Sequence, residues 1–167
     1  VTAVLVHPSQ GKGDGEINAE LSLRNPVRWA DRPDLLAALV ADQRMYILRR
    51  HGEEEARFWG TYDTNITKLK RVSAGDTVVF TGGGGIWALG KIGYQFKNPK
   101  FAEALWKPEP DKGVYTQLYS VAEFRTVDLP YSLLTEALGH RARNTFQTLV
   151  SYEGERADAV VAALAAA

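Results

Sequence analysis

Trp59 is followed directly by Gly60 and Thr61, and a few residues later by Asp63 and Asn65. An indole face beside small side chains offers a surface for a flat heterocycle. An Asn amide donates and accepts at once, and a carboxylate accepts from an exocyclic amine. Together these groups suit a base taken out of its stack, above all a methylated one, whose methyl group gains dispersion energy from an aromatic wall. Each also has a purely structural reading. Trp59 fits the core side of an alternating strand, and TYDTN fits a turn in which Asp63 and Asn65 satisfy their own backbone. Both readings stay open at this stage.

Further aromatic and hydroxyl groups are spaced along the following residues. Trp87 comes after the glycine run 82–85, where it either borders a pocket or alternates inward with Leu89. Trp106 ends a helical stretch ahead of a proline-rich loop, as a lid or as an anchor. Thr61 and Thr81 offer hydroxyls to a base edge or a phosphate, and both are at home in strands. The candidate phosphate contacts are Lys68, Lys70 and Arg71 of the KLKR run, Lys97 and Lys100 around the NPK turn, and Arg141 with Arg143. Their alternative is an ordinary solvated surface, with HGEEEA and PEPD marking an acidic face.

These residues require elements to hold them. Residues 3–7 read as a strand, and GKGDGE as a surface turn. That turn lacks the spacing and the Lys-Ser/Thr pair of a phosphate loop. Pro33 or Asp34 opens an amphipathic helix, and MYILRR reads as a short strand before the charged turn HGEEEA. ARFWGTY is a strand that carries Trp59. A Gly-Asp turn leads into TVVF, a buried strand, and the glycines form a hairpin into the strand IWALGKIGY. NPKFAEALW reads as a short helix, VYTQLYSVAEF as a long strand, VDLPYSLLTEALGH as an extended segment turning helical, and residues 142–166 as terminal helix. The sum is an α+β domain, a curved, barrel-like mixed sheet flanked by helices.

Composition narrows the function classes. The 167 residues, 45% of them hydrophobic, fit a single compact recognition domain. Lys plus Arg and Asp plus Glu stand at 20 each, so any polyanion must be held by a local patch rather than by an overall field. There is no cysteine, and His7, His51 and His140 are scattered, so neither a metal nor another cofactor is expected. No run approaches membrane-spanning length, and a cytoplasmic location is the expectation. Lys91, Glu103, Asp76 and Tyr62 are types that hydrolytic chemistry recruits, but no nucleophile-base spacing ties them together.

The order FWGTYDTNITKL, GDTVVF, TGGGGIWALGKI, then GVYTQLYSVAEFRTVDLPY, resembles PUA-like modified-base readers, specifically YTH and EVE domains, over about residues 57–131. The Trp-small-Thr cluster, nearby Asn and basic-Leu pair are YTH-like; the GDTVVF turn and strand are closer to EVE domains. The resemblance implies that Trp59 is a cage wall and that Tyr119, near Tyr115 and Phe124, is a second one. It implies a noncatalytic reader of N6-methyladenine or 5-methylcytosine in DNA, acting by base flipping as the sensor of a modification-dependent restriction system. Nuclease or motor domains would then lie further along a longer chain, beyond the alanine-rich C-terminus. The alternatives are a reader of modified RNA, a nucleoside amidohydrolase of the ASCH type, and a protein-interaction module.

Overall fold

The computed structural model describes residues 1–10, 14–108, 110–139 and 146–167. Seven strands are hydrogen-bonded in the order β2-β3-β6-β5-β4-β1-β7. They are β1 Ala3–Gln10, β2 Val27–Arg28, β3 Glu55–Thr61, β4 Thr77–Gly82, β5 Gly85–Phe96, β6 Gln117–Pro130 and β7 Val150–Glu153. β1 runs parallel to β4, whereas the pairs β1/β7, β2/β3, β3/β6 and β4/β5 are antiparallel. The α+β class and the mixed sheet are therefore as expected. The helices are α1 Asp14–Ala19, α2 Pro33–Ala38, α3 Ala41–His51, α4 Ile66–Leu69, α5 Pro99–Leu105, α6 Ser132–Leu138 and α7 Glu155–Ala165. Among the described residues no helix is long and apolar enough to cross a membrane.

The chain packs as two compact units, and β5 and β6 contribute residues to both. In the first unit, Val4, Val6, Val79, Ile86 and Leu89 of the strands meet Leu134 and Leu138 of α6. Ala157, Val160 and Leu164 of α7 join the same core, at a spacing that places them on one face of the helix. The alanine-rich C-terminal residues thus have a packing role. Helical structure had been expected throughout residues 142–166. Val150–Glu153 instead forms a strand, because it pairs with β1 through Ala3–Val6, a partner far away in sequence.

The second unit contains further departures: residues 14–16 of the expected GKGDGE turn begin α1, and the helix expected from Pro33 or Asp34 is broken between Ala38 and Ala41. MYILRR is not a strand: it lies within α3. Its apolar run looked like strand core, yet of those residues Ile47 alone is fully buried, while Met45 and Tyr46 are exposed. Helical geometry lets Gln43 accept from the Val40 backbone N–H at 3.2 Å, and it stacks Tyr46 on Tyr94 with ring centroids 5.1 Å apart. α5 begins as its sequence implied. Asn98 accepts from Phe101 N at 3.0 Å as the N-cap, ahead of Pro99 in the first turn.

Candidate nucleic-acid interface

Both faces of β3 are covered in the second unit. Phe58 packs on one side against Phe101, Phe96 and Trp29, with ring centroids at 4.9, 6.1 and 5.9 Å. Its neighbour Trp59 points to the other side and meets Tyr115 at 5.4 Å and Trp106 at 6.2 Å. Tyr115 and Trp106 close the triangle at 5.1 Å, and Tyr62 extends it from Tyr115 at 5.3 Å. Trp59 is only 2% exposed. Gly60 is the reason the triangle fits: a Cβ there would stand 2.9 Å from the Tyr115 Cβ. The room that Gly60 leaves beside Trp59 is occupied by Tyr115.

Trp106, just past the end of α5, is held by its indole N–H, which donates to Ser22 Oγ at 2.8 Å. Tyr119 lies directly opposite Trp59 in the β3/β6 ladder and is fully buried. Burial, with Tyr115 nearby, pushes its hydroxyl well above the usual tyrosine range.

A polar rim borders these rings. Asn65 Nδ2 donates to Thr61 Oγ1 at 2.8 Å, and the Thr116 N–H donates to the Thr61 carbonyl at 3.0 Å. Asp63 accepts from Gln117 Nε2 at 2.7 Å and from Thr116 Oγ1 at 2.8 Å, with Lys97 Nζ at 3.8 Å. The Gln117 bond first, then the Thr116 bond and the Lys97 charge, hold its carboxyl below the ordinary range. Lys112 Nζ lies 5.5 Å above the Tyr62 ring. Trp59, Thr61, Asp63, Asn65, Trp106 and Tyr119 therefore belong to one neighbourhood.

Thr81 and Trp87 belong to the first unit. Thr81 is buried and donates to the Phe146 carbonyl at 3.0 Å. Trp87 packs against Phe124 and Phe80 at 5.9 and 6.1 Å, with its N–H given to Ser9 Oγ at 2.8 Å. The cations divide as well. Lys70 and Arg71 are exposed, but half-buried Lys68 donates to the Leu149 carbonyl at 2.7 Å. Lys97 and Lys100 are exposed in the second unit. Arg141 and Arg143 lie outside the described residues.

Tyr115, Thr116, Gln117 and Lys112 are the neighbours that sequence reading did not single out as contacts. Their signal is tertiary, because only the β3/β6 register brings the start of β6 to Thr61 and Asp63. The groups weighed for hydrolysis are separate. Asp76 accepts from Ser73 N at 2.7 Å and Lys91 donates to Thr77 Oγ1 at 3.4 Å in the first unit, whereas Tyr62 and Glu103 belong to the second. Among the described residues no three His, Asp or Glu side chains are grouped to hold a metal.

The strand order and helices define a mixed α+β fold shared with a solved domain. The chain is similar to the N-terminal domain of Thermococcus gammatolerans McrB, solved bound to m5C DNA, with a TM-score of 0.73 over 99% of this chain and 98% of that one. Sequence identity is 16%, so the likeness is one of fold. No protein-family model and no curated protein sequence matches the chain.

Proposed function

We propose that this chain is a noncatalytic DNA-binding domain that recognises a methylated base, first 5-methylcytosine, as the sensor of a modification-dependent restriction system. The observation that carries the reading is the likeness of fold over nearly the full length of both chains to a domain solved on m5C DNA. The YTH-like order of motifs around Trp59 supports it independently and makes N6-methyladenine the runner-up base. Nuclease or motor activity belongs, in this reading, to other parts of a longer protein.

The captured base stacks in the neighbourhood of Trp59, Trp106 and Tyr115, where each base–aromatic contact contributes about 1–3 kcal/mol. Thr61, Asp63 and Asn65 lie at its edge. Because Trp59 is 2% exposed, entry requires the Tyr115 ring to move aside. Flipping costs a few kcal/mol, so net affinity depends on stacking plus phosphate contacts from exposed cations such as Lys70 and Arg71.

The test is equilibrium binding to a matched panel. It comprises duplexes with 5-methylcytosine, N6-methyladenine or no modification, the corresponding RNAs, and a release assay with modified nucleosides. Preference for a methylated duplex supports the reading. Equal affinity throughout overturns it, RNA preference transfers it to RNA, and release of a carboxylic acid from an N-acylated nucleoside makes the domain an amidohydrolase.

A further inference from the structure

One face of α3 is uncovered. The helix buries Ile47, and Arg44 and Arg50, three residues to either side, flank that buried face. Asp42, Met45, Tyr46 and Arg49 follow the spacing i, i+3, i+4, i+7, which gathers them into a stripe on the opposite face. All four are exposed, Met45 by 44% and Tyr46 by 47%. The centre of the stripe is apolar, and its two ends carry opposite charges.

Neither charge is satisfied within the chain. Among the described residues Asp42 and Arg49 make no hydrogen bond or ion pair through their side chains. The helical positions three and four residues from each, where an opposite charge would pair with it, are Met45 and Tyr46 in both cases. Tyr46 is meanwhile held in place from beneath. Its ring stacks on Tyr94 with centroids 5.1 Å apart and 24° between planes, and Tyr94 stacks on Phe96 at 5.6 Å and 8°. A ring fixed in this way loses little conformational freedom when its outer side is covered. Tyrosine, methionine and arginine are also the side chains that protein interfaces favour.

We propose that this stripe docks a second copy of the chain, with the two α3 helices antiparallel about a twofold axis between Met45 and Tyr46. The order Asp-x-x-Met-Tyr-x-x-Arg reads the same in reverse with its charges exchanged. The twofold therefore sets Asp42 against Arg49 of the second copy, and Arg49 against its Asp42, around a centre of Met45 and Tyr46. Parallel helices would set like charges together. A polyanion such as nucleic acid would be attracted by Arg49 but repelled by Asp42, so the mixed signs favour a self-complementary partner. An 11-residue helix is about 16 Å long. A seam that short covers less than the roughly 1,200 Å² of a stable complex, so the dimer is weak and reversible. The inference goes beyond the reading of methylated DNA and stands without it, because its test needs no DNA.

The experiment is sedimentation velocity on the domain alone, from micromolar to millimolar concentration. The wild type should pass from monomer to dimer as concentration rises. Asp42→Arg and Arg49→Asp should each weaken association by roughly tenfold or more, since each places like charges opposite one another at both ends of the seam. The variant carrying both substitutions should associate like the wild type again, because the pairs are restored with their signs reversed. Melting temperatures close to wild type for these three variants confirm that they are folded. A wild type that stays monomeric at every concentration overturns the proposal. So does association that persists in both single variants, which places the contact on another face, or a double variant that fails to regain it. Tyr46→Ala should abolish the dimer and leave DNA affinity unchanged. The reverse result would make Tyr46 a stacking platform for nucleic acid and would overturn the dimer.

Discussion

Trp59 sits directly opposite Tyr119 across β3 and β6, and neither ring reaches solvent. Residues opposed in this way share a face of the sheet. The two aromatic side chains expected as cage walls are thus neighbours, in a cluster that is already packed. Capturing a base there means exchanging ring–ring contacts for ring–base contacts, so cluster stability and ligand recognition are coupled.

Trp59→Ala should consequently be costly to folding. Truncating a buried tryptophan removes about 3–5 kcal/mol, which for a domain of this size lowers the melting temperature by roughly 10 °C. Thermal denaturation followed by circular dichroism checks it. A melting temperature within a degree or two of wild type would mean that the ring is hydrated in solution.

Much of the scaffold was legible because its signals are local. TVVF, the glycine run and IWALGKI gave a hairpin by β-branching and turn chemistry, and Asn98-Pro99 marked the start of a helix. What escaped depends on remote partners. α3 was hidden by an apolar run, MYIL, of which Ile47 alone is fully buried. β7 is a strand because β1 is beside it. Trp59 was ambiguous for a geometric reason: with Phe58 buried on one face of β3 and Trp59 on the other, no alternation remains to distinguish core from pocket. The polar rim was half legible, since Thr61, Asp63 and Asn65 are close in sequence but their partners are Thr116, just ahead of β6, and Gln117, its first residue.

Acid should destabilise the fold through two histidines. His51 Nε2 lies 2.6 Å from Ser120 Oγ, and burial, helped by the Arg50 charge, lowers its pKa from 6.5 to about 4. Buried His7 is lowered to about 3 by desolvation. Both are neutral in the folded protein and protonate more readily when unfolded. Their contribution is therefore complete above pH 6.5 and is lost progressively as pH falls toward 4 and then 3. Melting temperatures measured from pH 7.5 to 4 should fall below pH 6.5, and His51→Gln should show a shallower decline. An identical pH profile in that variant would remove His51 from the account.

Gly60→Ala tests how tightly the aromatic triangle is closed. The added methyl would stand 2.9 Å from Tyr115 Cβ and 3.1 Å from the Gln117 carbonyl, so Tyr115 must shift. Overpacking of this kind typically costs about 1–3 kcal/mol. Tryptophan emission should shift to the red as Trp59 and Trp106 gain water, alongside a lower melting temperature. Unchanged emission and stability would show that the start of β6 yields freely.

The KLKR run should separate into a structural lysine and two phosphate contacts. Lys68 donates to the Leu149 carbonyl, so Lys68→Ala leaves that acceptor without its lysine partner and should cost roughly 1 kcal/mol or more of stability. Lys70 and Arg71 are exposed, so replacing both by Ala should leave the melting temperature unchanged. If each neutralises one phosphate, the double variant should bind methylated and unmethylated duplexes equally more weakly. The slope of log affinity against log salt should then fall by about 1.8, because each contact contributes about 0.9 through counterion release. Titrations at several salt concentrations read that slope directly. A slope equal to wild type would place the phosphate contacts on other cations, with Lys97 and Lys100 next to be replaced.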